Sequence, residues 1–364
     1  MELIIKKNID WDNIYIVVLD ERKKKVDSFK LRFSKFNFCK LKFNLANHKY
    51  IYFTNKKINT ETVVLSEGLY GLEIRYNNKT NRYDPLLFNN VNNHSTVKTY
   101  NLHDEVNLPH SKNNKKIINV LLPHNYDKKK KYGLLIMLDS QNLYNNDIHN
   151  YTKLNDPYGG WQIDTTLEVL AQKYNRELIV VGLETTGHER MFELTEPKEF
   201  GDVIFSSRKI FKSILEKGSL DKTTNFIVET VIPFIKSKYN ITDFIGIGGS
   251  SAGGNAAYYA AIKYNNIFKY SLPFSPAHTL FKHESLMRFH AENNFPNVPM
   301  YICCGQKGKL EKSLYVTNKK FIKLMDKINY TNIYTYYENT ADHNEILWRY
   351  AFAAAMTKVF EENK

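Results

Sequence analysis

A chain of 364 residues can bury a large core, enough for one large domain with a smaller one or for two of similar size. The formal net charge of +13 is mostly lysine spread through an Asn- and Tyr-rich sequence. The runs Lys23 to Lys25 and Lys128 to Lys131 fall in turns between expected strands, which argues for solvated loops and against a nucleic-acid partner. Cys39, Cys303 and Cys304 form neither a disulfide framework nor a metal spacing, the start MELIIKKNIDW has no long apolar h-region, and no window nears ~18 apolar residues; a soluble, cytoplasmic protein with no membrane span, metal or cofactor is expected.

Over the first ~75 residues, short runs alternate apolar and polar positions: Ile14 to Leu19, Ser28 to Phe33, Tyr50 to Thr54 and Thr62 to Leu65, with turn residues between. This predicts an all-β sandwich. The stretch Tyr76 to Ser95 is Asn-rich with little periodicity and reads as a linker. It sets a boundary near residue 95, giving domains 1–95 and 96–364.

Beyond it, strands at Ile117 to Leu122, Leu134 to Leu138, Leu178 to Val181, Phe244 to Gly248, Tyr270 to Pro273, Met300 to Cys304 and Ile333 to Tyr337 alternate with helical segments. The helices are Thr165 to Tyr174, Asn225 to Tyr239, a segment after Ser251, Ser313 to Asn329 and Asn344 to Glu361. Such alternation predicts an α/β fold around a mostly parallel sheet, with ligands beyond the carboxyl ends of the strands.

One of those ends carries Gly249-Ser250-Ser251-Ala252-Gly253, a G-x-S-x-G pentapeptide between an apolar strand and the helix-forming run AGGNAAYYAAIK. The pattern places Ser251 on a tight strand-to-helix turn, with small neighbours to make room and helix N–H groups aimed at the same spot. A serine needs a base, oriented by a third group, to be a nucleophile at neutral pH. Of the four later histidines, His278, His283, His290 and His343, only His343 sits between the last strand and the last helix; the other three lie where exposed surface histidines are ordinary. Among Glu284, Glu292, Glu311, Asp326, Glu338 and Asp342, Glu311 is the acid just past a strand end, and Asp342 is too close in sequence to reach round to the Nδ1 of its neighbour. The oxyanion hole should take one backbone N–H from Ala252 and another from Ser140 or Gln141, after the Leu134 to Leu138 strand. Trp161, after Gly159-Gly160, is a candidate for the pocket mouth, with core packing as the alternative.

Several segments resemble, in order, an esterase family of α/β-hydrolases that includes enterochelin-type siderophore esterases, S-formylglutathione hydrolases, feruloyl esterases and mycolyltransferases. Met137 to Leu143 (MLDSQNL) is similar to that family's hDGQNLF segment. Val180-Val181-Gly182-Leu183, followed by Arg190 and Glu193-Leu194-Thr195, is similar to VVGI…R..EL.P, and Val231 to Ile235 ending in Tyr239 to ELIPYI…Y. Gly249 to Gly254 (GSSAGG) resembles the GSSMGG elbow, His343 with Trp348 the HdW..W segment, and Glu311 with Asn318 the acid-containing stretch of the siderophore-esterase branch. The resemblance runs from about Val97 to the C-terminus. It implies an α/β-hydrolase cleaving carboxylic esters through an acyl-enzyme, with Arg190 meeting an anionic or oxygen-rich substrate. Ser140 stands where the family has glycine, and Glu311 lies three residues later than in GxxE, which implies an inserted bulge or a Ser-His pair working without the acid.

Asp10 to Ile16 and Tyr50 to Asn55 resemble a starch-binding carbohydrate module, without its WPG segment. The resemblance implies glucan as a possible partner. The expected substrate is a small-molecule or acylated-sugar ester; acyl transfer by the same residues, or a sugar-binding protein with an inert hydrolase domain, are the alternatives.

Overall fold

The computed structural model describes residues 2–9, 11–33, 38–42, 49–60, 62–64, 71–77, 82–87, 95–103, 115–144, 160–185, 189–196, 217–277 and 282–362. These group into two compact units: Met1–His94 with Tyr144–Arg176 and Phe352–Lys364, and Ser95–Leu143 with Glu177–Ala351.

The first unit holds β1 (Glu2–Asn8), β2 (Tyr15–Leu19), β3 (Lys25–Lys30), β4 (Phe38–Lys42), β5 (Tyr50–Thr54), β6 (Val63–Val64), β7 (Gly71–Asn77) and β8 (Arg82–Leu87). They form two four-stranded sheets, ordered β4-β1-β7-β8 and β3-β2-β5-β6. All pairs are antiparallel except β1 with β7. In β2 and β5, Ile16, Val18, Ile51 and Phe53 are completely buried, while the edge strand β3 exposes Lys25, Asp27 and Lys30, charges that discourage another strand from pairing there. The stretch read as a linker contains β8, which pairs with β7 from Leu72↔Leu87 to Asn77↔Arg82. As an edge strand it tolerates Pro85 and a polar composition, so its sequence signal is weak. Trp11, Tyr50 and Phe53, aromatic residues of the sugar-module resemblance, are buried. Helix α1 (Ile163–Tyr174) belongs to this unit, and its Tyr174 hydroxyl donates to Glu361 Oε1 at 3.0 Å.

The second unit is built on one eight-stranded sheet of β9 (Thr96–His103), β10 (Lys115–Leu122), β11 (Tyr132–Leu138), β12 (Leu178–Leu183), β13 (Ile241–Ser250), β14 (Phe268–Phe274), β15 (Met300–Gly305) and β16 (Ile333–Glu338). Their order is β16-β15-β14-β13-β11-β12-β10-β9; the six strands from β12 to β16 run parallel, and β10 and β9 add antiparallel pairs. Continuous apolar runs such as LIVVGL in β12 are what strands buried on both faces require, and every β12 residue is buried. The edge strand β9 (TVKTYNLH) gives a weaker sequence signal: of its described side chains only Leu102 is buried, while Thr96, Lys98, Thr99 and Asn101 are exposed.

Helices α2 (Glu189–Glu193), α3 (Leu220–Phe226), α4 (Ile232–Lys238), α5 (Ala252–Lys263), α6 (His283–Glu292) and α7 (Lys309–Asp326) lie in this unit, and α8 (Glu345–Glu362) begins in it. A π-helical turn, Ile227–Val231, joins α3 to α4 just before Pro233, whose missing N–H and ring do not suit a regular helix interior. On α6, His290 is not the surface histidine expected: it is completely buried, its Nε2 lies 2.9 Å from the Tyr258 hydroxyl, and desolvation pushes its pKa down to about 4. Burial has the opposite effect on Glu196, whose carboxyl is pushed up to about 7. His283 is exposed, and His278 lies outside the described residues. Among the described residues no helix is long and apolar enough to cross a membrane.

Candidate active site

β13 ends at Ser250 and α5 starts at Ala252, leaving Ser251 alone to make the turn. It does so at φ 57°, ψ −120°, a conformation L residues avoid and that survives only when its surroundings enforce it. Two backbone bonds do so: Ser251 N–H donates to Phe274 O at 2.9 Å, and Ser251 O accepts from Asn255 N–H at 3.1 Å. A Cβ on Gly249 would lie 2.6 Å from Gly253 O, so the elbow closes only around a glycine. Ser250 is buried, whereas Ser251 is partly open beside the N-terminus of α5. The N–H of Ala252 is the first of that helix and has no intrahelical acceptor.

His343 and Glu311 meet: His343 Nδ1 lies 3.1 Å from Glu311 Oε2. With the carboxylate as acceptor, the ring carries its proton on Nδ1 and presents the lone pair of Nε2. Glu311 is fully buried and sits in the first turn of α7, which begins four residues earlier than the helix expected from Ser313. Gly308 caps that helix at φ 70°, ψ 165°, and the residues before it are stitched to the His343 loop by Gln306 N–H to Glu338 O at 3.0 Å and Lys307 N–H to Ala341 O at 3.0 Å. A Cβ on Gly305 would come within 2.2 Å of Ala341 O, so this glycine lets the two loops touch. The other nearby acids are engaged elsewhere. Asp342 Oδ1 accepts the His343 backbone N–H at 2.9 Å, and Glu338 Oε1 accepts from Thr340 N–H and Oγ1 at 3.1 and 2.7 Å.

Ser140 and Gln141 occupy the short 3-10 turn Ser140–Asn142 after β11, where first-turn N–H groups lack intrahelical acceptors. The side chain of Ser140 does not crowd this loop from outside. It is completely buried, with its Oγ accepting from Asn119 Nδ2 at 2.9 Å. Gln141 is held by Nε2 donating to Thr185 O at 2.7 Å.

Asp139, which sequence reasoning passed over, organises this loop. In left-handed conformation (φ 60°, ψ 53°) it caps the turn, and its carboxylate accepts from Thr185 Oγ1 and from both arms of Arg190, Nε to Oδ1 and Nη2 to Oδ2, each at 2.7 Å. Arg190 Nη2 also reaches Ser250 O at 3.5 Å. The Asp139 carboxylate beside it raises the guanidinium pKa. The fork expected to meet substrate is therefore occupied by Asp139, tying the β11 loop to the residue before Ser251. A charged residue directly after a buried strand was the available signal. Trp161 is only 1 % exposed and belongs to the first unit.

A mostly parallel eight-stranded sheet in this order, with a strained serine after β13 and a carboxylate-bonded histidine after β16, defines an α/β-hydrolase of the serine ester hydrolase class. The profile of a family described as "Putative esterase" matches residues 110–359; the chain belongs to that family and is a carboxylic ester hydrolase. Among solved structures, an IroE-like serine hydrolase from Shewanella oneidensis is 16% identical with a TM-score of 0.56, over 73% of this chain and 81% of that one. A ferulic acid esterase from the anaerobic fungus Anaeromyces mucronatus is 17% identical with a TM-score of 0.52, over 73% and 91%. The BES protein from Bacillus cereus is 16% identical with a TM-score of 0.52, over 72% and 93%. Among curated proteins no match was found.

Proposed function

We propose that this chain hydrolyses carboxylic esters through an acyl-enzyme on Ser251, with His343 as general base and acid and Glu311 as the group that orients it. The backbone of Ser251 carries the reading, because φ 57° with ψ −120° lies outside the regions open to a residue with a side chain, and strain of that kind gathers at functional sites. Ser251 Oγ attacks the ester carbon while its proton passes to His343 Nε2. The resulting oxyanion takes hydrogen bonds from the N–H of Ala252 and from the Ser140 and Gln141 turn. Collapse expels the alkoxide, which recovers the proton from Nε2. Water then attacks the acyl-enzyme, giving its proton to the same nitrogen, and the carboxylic acid leaves as Ser251 is restored.

The A. mucronatus ferulic acid esterase has also been solved in complex with ferulic acid. For this chain we infer an aryl or acylated-sugar ester as substrate, and a panel of both, with and without an added alcohol acceptor, tests it. Acid release is the expected result. A new ester on the acceptor in place of acid would make the protein an acyltransferase, and no turnover of any ester would overturn the reading. Glucan binding by residues 1–95, which we propose as a separate β module, has less support because Trp11 and Tyr50 are buried. Retention on glucan without ester turnover would instead mark a sugar-binding protein with an inert hydrolase domain.

The Asp139–Arg190 pair supports a role in holding the oxyanion loop. Arg190→Lys keeps the charge but loses the bidentate fork. A loss in kcat of about one to two decades at nearly constant KM is expected, a fraction of what one oxyanion donor contributes. Asp139→Asn should cost about as much, and the double variant little more than either. A large rise in KM with kcat intact would instead assign Arg190 to the substrate.

A further inference from the structure

β14 ends at Phe274, whose carbonyl accepts the Ser251 N–H, and the residue after it takes no part in the chemistry outlined above. Ser275 is completely buried and holds φ 43°, in the left-handed region. Its N–H donates to Cys303 O at 2.8 Å, which fixes the backbone. Its hydroxyl lies between two side chains of the site: Trp348 Nε1 is 3.0 Å away, and Glu311 Oε1 is hydrogen-bonded on the other side.

The direction of these bonds follows from the donor inventory. An indole N–H can only donate, so Ser275 Oγ accepts from Trp348, and its single proton is directed at Glu311. Oε1 of Glu311 also accepts the Gly305 N–H at 3.1 Å, which leaves Oε2 for His343 Nδ1. The Trp348 ring stands edge-on to the His343 imidazole, with centroids 5.1 Å apart and an interplanar angle of 86°. The four side chains thus form a closed circuit in which the carboxylate receives donors on both oxygens. Donors on both oxygens fix the orientation of a buried carboxylate, and linked hydrogen bonds polarise one another.

We propose that Ser275 is a positioning residue for the reaction: with Trp348 setting the direction of its proton, it locks the Glu311 rotamer and holds its negative charge on the histidine as the imidazolium forms. The proposal rests on the Ser251, His343 and Glu311 reading.

Ser275→Gly tests it, since glycine accepts φ 43° without strain while the CH2OH side chain, and with it the hydroxyl, is removed. Made in the full chain and assayed on an aryl ester, it should lower kcat about ten- to a hundredfold, the loss expected for one hydrogen bond to a charged group, with KM little changed. In proton NMR the downfield His343 Nδ1–H resonance should broaden or move upfield. Trp348→Phe, which frees the hydroxyl rotor but leaves its bond to Glu311 possible, should move the same resonance and cost less.

Parental kcat in Ser275→Gly would overturn the proposal, as would a lower kcat with the resonance unmoved, since that is the mark of general loosening. If Ser275→Gly does not fold, Trp348→Phe decides: an unmoved resonance overturns the proposal. Failure of the underlying reading is separable, because Ser251→Ala or His343→Ala would then stay active; inactive Ser251 and His343 variants beside a parent-like Ser275→Gly would sink this proposal alone.

Discussion

Ser251→Ala is expected to abolish covalent labelling by a fluorophosphonate and to lower kcat by about five to six decades, the scale seen when the nucleophile of a serine hydrolase is removed. The fold should be untouched, because alanine keeps the Cβ and the two backbone bonds that hold the turn, to Phe274 O and from Asn255 N–H. Ser251→Gly separates the backbone cost from the chemistry. Relief of a strained φ contributes about 1–3 kcal/mol and the extra freedom of glycine in the unfolded chain removes about 0.5–1, so the variant should be inactive yet more stable by about 1 kcal/mol in urea unfolding. Labelling that persists at Ser250, or a Ser251→Ala protein that still turns over esters, would end the assignment.

His343→Ala should cost nearly as much, and combining it with Ser251→Ala should add almost nothing, because the two act as one unit. Glu311→Gln is more informative. Oε1 of Glu311 already takes the Ser275 hydroxyl and the Gly305 N–H, so the carbonyl of a glutamine would be held in that place and its NH2 turned toward His343 Nδ1. A donor there forces the imidazole proton onto Nε2, the atom that must accept from Ser251. A loss of about four decades in kcat at similar KM is therefore expected, with unchanged circular dichroism. Activity within tenfold of the parent would mean that a serine and histidine pair suffices.

How much of this was legible in the sequence depended on the range of the interaction. The elbow is local: glycines, a buried strand and a helix-forming run within a few positions of Ser251 impose the turn whatever lies further off, and the structure has it there. The central parallel strands were legible because burial on both faces demands continuous apolar runs. The edge strands β8 and β9 were not, because one open side relaxes that demand.

The remaining contacts were decided by the tertiary structure. Glu311 and His343 are 32 positions apart, and no spacing rule brings them within 3.1 Å; the stitching of the Gly305 and Ala341 loops does. Arg190 reads by resemblance as a substrate-facing cation, whereas in the fold Asp139, 51 positions away, occupies its fork. His290 looks like a surface residue in sequence and is completely buried in the fold. A sequence by itself determines which backbone turns and which strands are possible, since those depend on neighbours along the chain. Which polar groups lose water, and therefore must find a partner, is set only when distant segments pack, because desolvation belongs to the folded neighbourhood and not to the residue.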